Sequence, residues 1–91
     1  MRNKNDTYAK AASGLEHTAR NAFAIVPSDT ASLKKVTRSI YVGGVGDISV
    51  ILADESAAVT FVAVPVGTLL PIRAKLVRAS GTTATSLVGL W

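Results

Sequence analysis

From residue 36 onward the chain alternates apolar and polar positions with a period of two, and turn residues interrupt the alternation at short, regular intervals. Val36–Val45 is rich in Val, Ile and Tyr and runs into Gly-Gly-Val-Gly-Asp at 43–47. Ile48–Ala53 places Ile48, Val50 and Leu52 on one face, and Ala-Asp-Glu-Ser then turns the chain. Ala58–Val64 sets Val59, Phe61 and Ala63 opposite Thr60, Val62 and Val64. After Pro-Val-Gly comes a long strand, Leu69–Ala79, entered or bent at Pro71, with Ile72, Ala74 and Leu76 opposite Arg73, Lys75 and Val77. Ser-Gly-Thr leads into the last strand, Thr83–Trp91. A period of two is the geometry of a β-strand, and residues branched at Cβ suit a pleated surface. Short strands with turns at this spacing predict an all-β fold, a small antiparallel β-sandwich or barrel.

Upstream the signals are weaker. Phe23–Val26 reads as a short strand stopped by Pro27, which lacks an N–H and disfavours helix in the residue before it. Ser28, Asp29 and Thr30 carry oxygens that cap a turn or a single short helix, with Leu33 as its anchor. Residues 1–22 show no period, and Gly14 interrupts the helical pattern of Thr7–Arg20. The expected organisation is a polar, basic N-terminal arm at 1–22 and a β body at 23–91.

Two strands break the rule that an antiparallel sheet with one wet face alternates apolar and polar residues. Ala58–Val64 is apolar on both faces. In the last strand Leu87 and Trp91 share one face while Val88 and Leu90 share the other. A sandwich covers one face of each strand, so the second face needs another cover. Val62, Val64, Leu87, Val88, Leu90 and Trp91 are therefore candidates for a subunit or partner interface, and a homo-oligomer is expected. Trp91, the single tryptophan, is expected to be buried against the body or a neighbour.

Composition sharpens this picture. Only 18% of the 91 residues are charged while 48% are hydrophobic, against about 25% charged in an average domain. A single domain of this length hides only about 60–65% of its unfolded surface. With no cysteine, neither a disulfide nor a thiolate metal site can help, which leaves association as the remaining source of stability. The net charge of +4 lies in residues 1–38, and residues 39–91 balance to zero. A basic leading segment fits nucleic acid or an acidic protein surface. Residues 1–14 lack the apolar core of a secretory leader, so none is expected. The uncharged run Ala57–Ile72 holds Pro65 and Pro71 and falls short of the ~20 residues of a membrane helix, so no membrane partner is expected.

Candidate chemistry is sparse. Gly43, Gly44 and Gly46 lead into a strand rather than a helix, so a hairpin turn is expected there, not a phosphate loop. His17 has no second histidine, and one ligand does not hold a metal. Ser13 and Ser28 lack a base and an orienting group, and Asp29, Asp47, Asp54 and Glu55 fall at turns. No catalytic residue, cofactor or metal is expected. Arg73, Lys75 and Arg78 form a basic strand without the interleaved aromatics that stack bases. A small basic β-barrel binding nucleic acid is the alternative function, though nucleic acid is not the expected partner. A carbohydrate module would need grouped aromatics, and the five here are scattered.

Four motifs in order carry a resemblance over residues 22–91. They are Pro27-Ser28-Asp29, then Tyr41-Val42-Gly43 with Gly46-Asp47, then Val66–Arg73, then Gly81–Thr85. The sequence resembles the head-spike base proteins of gene transfer agents and of related tailed phages and prophages. The resemblance implies a non-enzymatic virion protein on the capsid surface, assembled in the host cytoplasm. It implies an oligomer, with a pentamer as the expected state, between a capsid protein and a spike or fibre protein. Capsid attachment is then expected of the arm, through Arg2, Lys4, Lys10 and Arg20.

Overall fold

The computed structural model describes residues 18–91, so most of the polar arm lies outside the described residues. The described residues contain no helix and seven strands: β1 (Ala22–Ala24), β2 (Ser39–Gly44), β3 (Gly46–Leu52), β4 (Val59–Val64), β5 (Leu69–Leu70), β6 (Ala74–Val77) and β7 (Thr85–Leu90). They form two antiparallel sheets, one ordered β1-β7-β2-β5 and the other β4-β3-β6. Ile40, Val42 and Leu87 of the first sheet share a buried core with Ile48, Val50, Ala74 and Val77 of the second. The fold is the small β-sandwich that the alternation predicts.

The expected hairpin at 43–47 does not form. β2 and β3 belong to different sheets, so the glycine-rich stretch is a corner at which the chain leaves one sheet for the other. The corner requires glycine at Gly46, where φ is 159° and an added Cβ would lie 2.5 Å from the Ala84 backbone nitrogen.

The expected strand Leu69–Ala79 divides in the same manner. Ile72 N–H donates to the Leu70 carbonyl at 2.9 Å, a three-residue turn centred on Pro71, whose fixed φ suits it. β5 therefore pairs with β2 while β6 pairs with β3. At 58–64 the predicted faces also change. Ala63 has φ 55°, and the β3–β4 register shifts between Gly46 and Ile48. A bulge adds a residue and reverses the facing of the residues beyond it. Phe61 and Val64, predicted on opposite faces, consequently both pack on the core.

No short helix follows Pro27. Ser28 Oγ does cap the turn, accepting from Thr30 N–H at 3.3 Å and Ala31 N–H at 3.0 Å. The backbone there turns to β6 instead: Ser28 N–H donates to the Val77 carbonyl and Leu33 N–H to the Lys75 carbonyl, each at 2.8 Å. The boundary expected at 22/23 falls inside β1.

Candidate interaction surface

The outer face of the four-stranded sheet follows from its register. Tyr41 lies between the buried Ile40 and Val42 and points away from the core, as does Val88 between Leu87 and Gly89. Tyr41 pairs with Leu69 on one side and Val88 on the other, and Val88 pairs with Ala24. The result is an apolar row of Leu69, Tyr41, Val88 and Ala24 across the sheet, with Leu90 and Ala22 in the next row. Tyr41 and Leu69 are 41% and 47% exposed.

The expected interface residues separate into distinct groups. Val62 stands 72% exposed on β4. Val88 and Leu90 are half-buried on the outer sheet face. Val64 and Leu87 are 6% and 3% exposed and belong to the chain's own core, so as interface candidates both are corrected. The bulge turned Val64 inward, and Leu87 lies on the inner face of β7. Trp91 is half-buried, with the Lys35 ammonium 4.6 Å from its ring centroid. Its carbonyl accepts from Arg20 and Asn21 N–H, and its own N–H donates to the Asn21 carbonyl, all at 2.9 Å. The last strand is thus held by the segment before β1, inside the expected arm. Arg20 is exposed, and Arg2, Lys4 and Lys10 lie outside the described residues.

The strand edges are treated unequally. Exposed edges template pairing with other chains unless short, bulged or covered. β1 has three residues and β5 two. The outer edge of β6 is covered by backbone donors from Ser28, Leu33 and Thr37. β4 has six uncharged residues; its bulge lies only at its far end, near Ala63, and beyond its pairing with β3 and the Asp47 carboxylate on Ala63 N–H it carries no further hydrogen bond among the described residues.

Two of the open cavities formed by the described residues lie beside the sandwich. One, of about 350 Å³, is lined by Leu52, Asp54, Glu55 and Arg73 among others. The other, of about 460 Å³, is lined mainly by Phe23, Ala24, Val26, Leu33 and Lys34. No group of three or more His, Cys, Asp or Glu could hold a metal among the described residues. Asp29 spends its carboxylate on structure. It accepts from Ser80 N–H at 2.9 Å and Ser80 Oγ at 2.8 Å, with Arg78 Nε 3.6 Å away. The Ser80 N–H and hydroxyl, aided by Arg78, hold its pKa below the usual 3.8. Sequence reasoning missed this tie because Asp29 and Ser80 are far apart in the chain.

A solved structure described as the capsid of a native GTA particle computed with C5 symmetry contains a chain 34% identical to this one, with a TM-score of 0.74. The match covers 94% of this chain and 99% of that chain. This chain belongs to the family of that capsid-particle protein. The matched length, nearly the whole of both chains, extends well past the four motifs. No family model matches the sequence, nor does any curated protein.

Proposed function

We propose that this protein is a structural component of a virion or gene transfer agent particle, serving as the base of a head spike or fibre. Five copies surround a five-fold axis on the capsid surface, bind capsid protein and anchor a spike or fibre protein. Assembly takes place in the host cytoplasm. The observation that carries this reading is the 34% identity to a chain of a GTA capsid. The C5 symmetry in that structure's description supports the copy number. The apolar outer face through Tyr41, Val88 and Leu90 supports a second cover, and capsid attachment is assigned to Arg2, Lys4, Lys10 and Arg20. The test is a deletion in the producing strain. Particles lacking the protein should keep intact heads and lose their head spikes under negative-stain electron microscopy. Spikes that remain, or heads that fail to form, would refute the assignment. Salt-sensitive DNA binding by the purified chain would move the function to nucleic acid instead.

A further inference from the structure

The sandwich has two flanks, and topology says which elements form each. β1 and β5 lie at opposite edges of one sheet, and β4 and β6 at opposite edges of the other. A short connection, 65–68, joins β4 to β5. On the far side, the segment after β1 hydrogen-bonds to β6 through Ser28 and Leu33. One flank is therefore β4 with β5, and the other is β6 with β1 and residues 25–34.

The two flanks are complementary. The β4/β5 flank carries the uncovered strand edge and the protruding Val62 and Val66, 72% and 62% exposed. Residues 56–72 hold no charge. The opposite flank carries the open cavity bordered by Phe23, Val26 and Leu33, with Ser28, Ser32 and Lys34 also in its lining. Charge divides the same way. Asp54 and Glu55 lie in the turn that leads from β3 to β4, at the end of the sandwich, where Arg73 lines the same cavity and leaves an acidic excess of one. Lys34 lines the opposite cavity, on a flank whose one carboxylate, Asp29, is already paired with Arg78.

The features also lie at matching heights. Val50 of β3 pairs with Val59 on one side and Val77 on the other, and Ser28 binds the Val77 carbonyl. Val62 follows Val59, and Val26 precedes Ser28, both displaced toward the N-terminal end of β3. Asp54 and Glu55 follow β3, and Lys34 sits beside Leu33, which binds the Lys75 carbonyl, so both charges lie toward its C-terminal end.

We infer that the β4 flank of one copy docks on the β1/β6 flank of a second copy, with Val62 entering the cavity of Phe23, Val26 and Leu33 and Asp54 or Glu55 meeting Lys34. This rests on the ring proposed above and names its contact surface. A repeated head-to-tail contact closes into a ring when its rotation permits, whereas pairing β4 with β4 would stop at a dimer.

The absence of cysteine allows a direct test on the full chain. Val26 and Val62 are both highly exposed, so cysteine at either position leaves folding intact, and two cysteines join only when their Cα atoms come within ~7 Å. Under mild oxidation the double variant Val26→Cys/Val62→Cys should give a ladder of covalent multimers on non-reducing denaturing electrophoresis. Either single variant should remain monomeric on the same gel. A covalent dimer from Val62→Cys alone would establish β4-to-β4 pairing and overturn the inference. A double variant that does not cross-link while native mass still gives an oligomer would place the contact elsewhere and leave the ring standing. A native mass of one chain at every concentration would remove both. Charge exchange is an independent check: Lys34→Glu should lose the oligomer, and Lys34→Glu combined with Glu55→Lys should recover it.

Discussion

The Thr37 side chain replaces a missing rung of the sheet at Ala74. Its Oγ1 accepts from Ala74 N–H at 3.0 Å and donates to the Ile72 carbonyl at 2.8 Å, while Thr37 N–H donates to the Ala74 carbonyl at 3.1 Å. Both Thr37 and Ala74 are 0% exposed. This is where the β3–β6 register shifts, between Ile51 and Leu52, and where the chain has just crossed from one sheet to the other. A bulge leaves backbone groups unpaired, and one hydroxyl satisfies two of them.

Thr37→Val keeps the shape and removes the hydroxyl. A buried donor and acceptor then lose their partner, which costs about 1–3 kcal/mol. Urea denaturation should show a lower midpoint with an unchanged slope. A midpoint equal to wild type would mean that water replaces the hydroxyl.

Phe23 sits over Gly89, its cross-strand partner. A Cβ at Gly89 would lie 2.7 Å from Phe23 Cζ and 3.1 Å from Thr37 Cγ2. Gly89→Ala should therefore destabilise by about 1–3 kcal/mol through overpacking, despite the better strand propensity of alanine. Adding Phe23→Leu should relieve part of the loss, because coupled neighbours are non-additive. Strictly additive effects in that double-mutant cycle would refute the contact.

Asp29 makes stability depend on pH in a defined direction. Hydrogen bonds from Ser80, with Arg78 nearby, lower its pKa below 3.8 in the folded chain. A group with a depressed folded pKa contributes stability above its unfolded value and loses it as pH falls through the folded value. The difference in urea midpoint between wild type and Asp29→Asn should be constant near neutral pH and shrink from about pH 5 downward. A difference that persists in strong acid would assign the loss to packing rather than to the charge.

The strands are legible in the sequence because Val, Ile and Thr alternate across Val36–Trp91, and the buried Ile48 and Val50 lie on the face the pattern selects. Sheet membership is not legible. Gly-Gly-Val-Gly reads as a hairpin, and only packing against Ala84 makes it a corner. Counting by two also fails silently across a bulge, which is why the alternation puts Val64 outside the core. Among the surface features, Val62 is visible as an apolar residue without a cover. The cavity at Phe23, Val26 and Leu33 is not, since it needs residues 27–34 folded beside β6.

Trp91 combines backbone and side-chain restraints, and these can be separated. Three backbone hydrogen bonds join it to Arg20 and Asn21 and survive replacement of the indole. The Trp91→Ala substitution removes the half-buried ring and its contact with Lys35. The loss should fall below the ~3–5 kcal/mol typical of a fully buried tryptophan. Lys35→Gln should cost about 0.5–1 kcal/mol, the range of an exposed cation–π pair. In the double variant the two losses should sum to less than their separate total, because the contact can be broken only once. Thermal unfolding of the four proteins, followed by far-ultraviolet circular dichroism so that the tryptophan is not needed as a probe, measures this coupling. A Lys35→Gln effect of the same size in the Trp91→Ala background as in the wild type would show that the ammonium over the ring contributes nothing.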